Sequence, residues 1–346
     1  MNNKFFPSNF LFIMTMVSGT MLSLSSSHWL SMWMGLELNL MGFLPLINIK
    51  GKMLEAEASM KYFIIQSMSS GTLLMSSILM YYYNLSWYSM FSNTFISIIV
   101  TLSLIMKLGA APMHFWLPSI TKQMSWNILF IMLTWQKIAP LFMLSLMNSN
   151  MNTILVFSMM STIMGSLMAL NQTNIQLIMT YSSISHLGWM LSMITINSSL
   201  TLIYLMNYII VSIPLFYILS KYLGNHLFMF SQKGNLSNII TISLILSLGG
   251  LPPLLGFMSK LIIIISLVEM KFMMLTLLMF LGTLISLYFY LNMSLTLMIK
   301  SYKMMSMHTY NNFYNIIISF NLMSSFIIFP SILMFIKYAM TIFYEP

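Results

Sequence analysis

Apolar runs of about twenty residues, the length that carries an α-helix across bilayer hydrocarbon, recur from one end of this chain to the other. Their approximate limits are 8–25, 28–48, 57–82, 94–118, 124–147, 151–170, 174–195, 199–222, 236–266, 271–298 and 314–341, which predicts about eleven transmembrane helices. The connections are short and polar, as in Asn148-Ser149-Asn150 and Asn171-Gln172-Thr173-Asn174, a composition that favours turns over a continued helix. No segment reads as a barrel strand, and no polar insert is long enough to fold alone. The pattern predicts an all-α polytopic membrane protein, with residues 1–346 forming a single integral membrane domain.

Two of these spans are interrupted in the same way. The fourth contains Met106-Lys107-Leu108-Gly109-Ala110-Ala111-Pro112, and the ninth contains Leu248-Gly249-Gly250-Leu251-Pro252-Pro253 followed by Lys260. Non-helical backbone at bilayer depth survives only inside protein or beside a watery cavity. When the first ten spans are divided into two sets of five, each break falls in the fourth helix of its set. Because five is odd, the second set enters the membrane from the opposite side. This is the pattern of an inverted-topology repeat, here 5+5 helices with broken helices at spans four and nine, whose binding positions lie near the midplane. Gly and Pro are also frequent in membrane helices generally; the shared rank and the accompanying lysine favour the repeat.

Composition supports the membrane reading. Charged residues make up 5% of the chain and the mean hydropathy is +0.88, against roughly 25% charged in a soluble domain. The net charge of +9 is spread singly over the connections, without the basic cluster a nucleic-acid partner requires. Lys4, Lys50, Lys52, Lys122, Lys221, Lys233, Lys300 and Lys303 fall on the side of the N-terminus and every second connection after it, whereas the other side holds Lys271 beside Glu269 and Lys337 with Glu345. The positive-inside rule then puts the N-terminus on the side of synthesis and, with an odd span count, the C-terminus across the membrane.

The chain has no cysteine, arginine or aspartate and has 42 methionines. Without thiols it supplies no iron–sulfur ligands, no Cys-based zinc site and no disulfide. Methionine offers an adaptable apolar surface. An AT-rich animal mitochondrial genome, which reads AUA as Met and reassigns some arginine codons, would account for both biases together; if the gene is mitochondrial, the side of synthesis that holds the N-terminus is the matrix. The N-terminus shows neither an Arg-rich presequence nor a small-residue cleavage site, so the first apolar run is expected to be retained.

Four charged residues fall well inside spans: Glu37, Lys107, Lys137 and Lys260. A lysine at a helix centre costs about 2.5–3.5 kcal/mol even on lenient insertion scales, so an intramembrane charge is first read as functional. A carboxylate moving toward an amine favours its ammonium form, and moving away favours release of the proton. Glu37 and Lys107 therefore have the chemistry of a pump element. The competing structural reading is a Glu–Lys pair that pins two helices; Lys137 and Lys260 have no obvious acidic partner.

His186, in Ser185-His186-Leu187-Gly188-Trp189, suits a relay because imidazole titrates near neutrality, and suits a hydrogen-bonded packing role equally well. His114 follows the first break and leans structural. His28, His226 and His308 read as interface or loop residues. Ser67, Ser69, Ser70 and Thr72 either line water or glue helices together. Glu55, Glu57 and Lys61 open the third span, where acids suit a helix N-terminus. No phosphate loop, metal-ligand cluster or nucleophilic triad is visible, so neither a metal nor a cofactor is expected on this chain.

These same residues carry a family resemblance. Met34-Gly35-Leu36-Glu37-Leu38-Asn39, the run from Met106 to Trp116, Thr134-Trp135-Gln136-Lys137-Ile138-Ala139-Pro140, Tyr181 to Trp189 and Ser247 to Phe257 resemble, in order, the subunit 2 family of mitochondrially encoded NADH:ubiquinone oxidoreductase chains, respiratory complex I, with an insect-like character. The resemblance covers most of the chain. It implies an antiporter-like, proton-translocating subunit of the membrane arm, with a core of about 23–285 and C-terminal helices over 271–346. It implies that Glu37 pairs with Lys107, that Lys137 is the central lysine, and that Lys260 follows the second broken helix. The family often has Pro immediately before that last lysine, where this chain has Ser259. The resemblance further implies the inner mitochondrial membrane, other membrane-arm and accessory subunits and phospholipids as partners, and FMN, iron–sulfur clusters and ubiquinone on partner subunits. Two other readings stay open at this point: a sodium/proton antiporter subunit, and a purely structural membrane-arm chain.

Overall fold

A computed structural model describes residues 7–84, 94–147, 151–221, 235–252 and 254–303. The eleventh predicted span, His226, His308, Lys4, Lys233, Lys337 and Glu345 lie outside the described residues, as do the side chains of Lys300 and Lys303. Among the described residues all regular structure is helical, in twelve helices: α1 (Pro7–Ser25), α2 (Trp29–Ile47), α3 (Met53–Asn84), α4 (Thr94–Leu108), α5 (Trp116–Thr121), α6 (Trp126–Ser145), α7 (Met151–Ala169), α8 (Ile175–Ile194), α9 (Ser198–Lys221), α10 (Asn235–Gly249), α11 (Leu255–Glu269) and α12 (Met273–Lys303). Seven of these, α1, α2, α3, α6, α7, α9 and α12, are long and apolar enough to cross a membrane. Helices α4 and α10 are apolar but shorter. The chain divides into two compact units, one of residues 1–165 and 179–198, the other of 166–178 and 199–346.

A helical backbone satisfies its own hydrogen bonds, which lipid cannot do for it. The polar side chains follow the same rule. Ser67, Ser69, Ser70 and Thr72 each donate to the carbonyl three residues earlier, at 2.7–2.9 Å. Their hydroxyls are thus committed to their own helix, which favours packing over water lining. At the start of α3, Glu55 accepts the backbone N–H of Lys50 at 3.1 Å, while Glu57 pairs with Lys61 one turn on, both as expected of a helix N-terminus.

In the first unit α1 and α2 pack backbone to backbone. A Cβ on Gly35 would lie 2.6 Å from Ser23 N and 2.7 Å from the Gly19 carbonyl oxygen. Small residues are what allow membrane helices to approach this closely, since no apolar driving force separates helix from lipid. Gly35→Ala is expected to push α1 off α2 at a cost of about 1–3 kcal/mol. The measurement is the thermal stability of the assembled particle, and an unchanged melting temperature would contradict it. In the second unit α10 and α11 make an equally close approach at Gly256, whose position relative to the Ser247 carbonyl leaves no room for a Cβ.

Candidate functional site

The site in the first unit begins where α4 stops. The last carbonyls of a helix have no intrahelical partner. Here Gly109 takes a left-handed φ of +71°, and its N–H and that of Ala110 turn back to the Ile105 carbonyl at 3.0 and 3.3 Å. Glycine adopts this conformation without the Cβ clash that other residues suffer. Two further carbonyls are capped from elsewhere in the chain: Trp116 Nε1 donates to Met106 O at 3.2 Å, and Gln66 Nε2 donates to Lys107 O at 3.2 Å. Lys107 is thereby fixed at the lip of a terminated helix.

Lys107 and Lys137 line one cavity together with Asn39, Tyr62, Gln66 and Gln136. It holds ≈ 20 Å³ of room for water, enough for about one molecule, and its polar walls could hold one. Lys107 is 7% exposed, and among the described residues nothing hydrogen-bonds its Nζ. Lys137 is 3% exposed and donates to the Ser183 carbonyl at 3.2 Å. Glu37, on α2, is half-buried. It makes no ion pair among the described residues, where the one such pair is Lys61–Glu57. Across the cavity wall, Asn39 and Gln136 join α2 to α6 through two hydrogen bonds of 2.9 and 3.0 Å.

The second unit contains a break with the same turn. The N–H groups of Gly250 and Leu251 return to the Leu246 carbonyl at 3.1 and 3.3 Å, and Gly250 has φ +83°. Here the lysine itself supplies the cap. Lys260 Nζ donates to Gly249 O at 2.8 Å and Leu248 O at 3.3 Å, placing its amine at the negative end of α10. Ser259 lies within an unbroken turn of α11, its hydroxyl donating to Gly256 O at 3.0 Å. Tyr204, Tyr208 and Tyr290 are buried in the same unit, and Tyr290 packs against Gly249. Gly250→Ala is expected to destabilise by about 1–2 kcal/mol, because an L-residue is strained at that φ; a denaturation midpoint equal to wild type would refute this.

Of the histidines, His186 is buried on α8, in the same unit as the cavity but not on its wall. His114 also stands apart from the cavity lining. Its Nδ1 meets the Pro112 carbonyl at 3.2 Å and its ring stacks on Phe115, a role in shaping the turn. His28 precedes α2 as its N-cap. Sequence reasoning did not single out Asn39, Tyr62, Gln66 or Gln136 as cavity residues. The available signal was an amide within two positions of Glu37 and another beside Lys137. No group of three or more His, Cys, Asp or Glu residues able to hold a metal occurs among the described residues.

Apolar helices long enough to cross a membrane, with α4 and α10 each ending at a left-handed glycine beside a buried lysine, are the features of a polytopic membrane protein. Residues 26–286 match the family model described as NADH:quinone oxidoreductase/Mrp antiporter, TM, and the chain belongs to that family. It is 40% identical over 330 residues to NADH-ubiquinone oxidoreductase chain 2 of Anopheles gambiae, covering 92% of this chain and 94% of that protein. The corresponding chain of the mammal Dasypus novemcinctus is 39% identical over 294 residues, covering 83% and 85%. Among solved structures, the fold resembles a chain of respiratory complex I from Thermus thermophilus with TM-score 0.77 and 24% identity, covering 86% of this chain and 71% of that one. It also resembles a chain of the Mrp complex from Dietzia sp. DQ12-45-1b, with TM-score 0.74 and 17% identity, covering 87% and 61%.

Proposed function

We propose that this chain is a core membrane-arm subunit of NADH:ubiquinone oxidoreductase, respiratory complex I, and translocates protons across the inner mitochondrial membrane as electrons pass from NADH to ubiquinone. The observation that carries the reading is the pair of buried lysines, Lys107 and Lys137, on one cavity sized for a water molecule. Placing two amines there is costly, and a proton path uses both. The identity to curated chain 2 proteins over most of their length supports the choice of complex I over a sodium/proton exchanger.

In this reading Glu37 sets the protonation of Lys107 through its field, Lys137 receives the proton by way of cavity water, His186 assists from α8, and Lys260 is the exit-side member. The topology is about eleven spans, with a 5+5 inverted repeat broken at α4–α5 and α10–α11, the N-terminus in the matrix and the C-terminus in the intermembrane space. The domain is single, with an antiporter-like core of about 23–285. The chain does no redox chemistry; FMN, iron–sulfur clusters and ubiquinone belong to partner subunits, which include other antiporter-like chains.

Lys107→Met tests the role in complex reconstituted into sealed vesicles. The expected result is a lower proton-to-NADH ratio and slower coupled turnover. A full ratio in the variant would reject the relay and favour a structural chain, whereas sodium-dependent pumping would favour an exchanger.

A further inference from the structure

Asn39 and Gln136 form a closed ring: Asn39 Nδ2 donates to Gln136 Oε1 at 2.9 Å, and Gln136 Nε2 donates to Asn39 Oδ1 at 3.0 Å. The two residues are 97 positions apart in sequence, and both line the cavity shared by Lys107 and Lys137. Asn39 follows Glu37 by two positions on α2, and Gln136 immediately precedes Lys137 on α6. A primary amide has two donors and an acceptor with two lone pairs. In the ring each spends one donor and one acceptor position on the other, so half of its hydrogen-bonding capacity is withheld from water.

We propose that this amide pair is a gate on proton exchange between Lys107 and Lys137, an inference that rests on the relay reading above. Closed, the ring keeps the shared space at the size of one water. Open, the freed amides hydrogen-bond additional water and complete a chain between the two amines. Amides suit this task because they do not titrate near neutral pH and so do not trap the proton they let pass. The ring also ties the opening to Glu37. A shift of α2 by about 1 Å takes bonds of this length out of hydrogen-bonding range, so movement of the helix that bears Glu37 and opening of the ring are one event.

Two substitutions at one position separate a gate from a mere tie between helices. Asn39→Ala removes the ring and leaves space for water; Asn39→Leu removes it and fills the space with an apolar group. Both are measured in assembled complex in sealed vesicles, by protons moved per NADH oxidised at low and at high membrane potential, and by ordered water in a high-resolution map. For the alanine variant, continuous water between Lys107 and Lys137 is expected, with a near-normal ratio at low potential. Its ratio should fall as the potential builds, because 100 mV biases the return of a charge by about fiftyfold. The leucine variant is expected to show no added water and a lowered ratio at every potential. Identical behaviour of the two variants overturns the gate. Lys137→Met in the same vesicles separates the failures. A full ratio there sinks the relay itself, whereas a lowered ratio with indistinguishable Asn39 variants sinks the gate alone.

Discussion

Lys137→Met is expected to leave the complex assembled and to stop proton passage through this chain. Methionine keeps an unbranched stem of similar length, so the packing around α6 survives. The Ser183 carbonyl loses the hydrogen bond from Lys137 Nζ, 3.2 Å away, worth about 0.5–1.5 kcal/mol net. Removing a buried ionisable group also removes its desolvation cost, and apolar replacements of such groups are often neutral for stability. Function has no such compensation. Without a group that binds and releases a proton at this position, transfer is expected to slow about a hundredfold or more. The proton-to-NADH ratio in vesicles reads the effect. Lys137→Arg sharpens the test: guanidinium keeps the charge but does not deprotonate in proteins, so it is expected to be nearly as defective as methionine. Full pumping by the arginine variant would show that charge, and not proton exchange, is what the position supplies.

The second large effect is structural. A Cβ added at Gly256 would overlap the Ser247 carbonyl oxygen and lie 2.8 Å from its carbon. These are backbone atoms of a helix, so they cannot yield as a flexible side-chain tip can. Gly256→Ala must therefore drive α11 away from α10. Lys260, one turn further along α11, then leaves the Leu248 and Gly249 carbonyls that hold its Nζ. Overpacking alone costs about 1–3 kcal/mol, and leaving a buried donor and two carbonyls unpaired adds to it. The expected result is loss of the chain from assembled complex on a native gel. Gly71→Ala is the control, since nothing lies within 4 Å of a Cβ there, and it is expected to assemble normally. Normal assembly of Gly256→Ala would refute the close approach of α10 to α11.

The helices themselves were legible in the chain. A predicted span of 28–48 is the helix Trp29–Ile47, and one of 151–170 is Met151–Ala169. The run 94–118 proved to be two helices, Thr94–Leu108 and Trp116–Thr121, separated at the glycine and proline already noted. Apolar length and the positions of Gly and Pro are local properties, and lipid makes them decisive because unpaired backbone has no solvent there. Partners were not legible in the same way. Nothing in the sequence paired Gln66 with the Lys107 carbonyl 41 residues away, or Asn39 with Gln136. Nor did it show that Lys260 would cap the helix before it, because the fold of α11 back onto α10 decides that.

The sequence by itself determined helices long and apolar enough to cross a membrane, the places where two of the described helices end, and that Lys107, Lys137 and Lys260 would be buried. The tertiary structure alone decided what those side chains face: Lys107 and Lys137 one cavity, Glu37 no ion-pair partner among the described residues, and Lys260 the end of α10. Helix formation is set by neighbours along the chain and by the apolar solvent, whereas a cavity exists only where residues far apart in sequence fail to fill the space between packed helices.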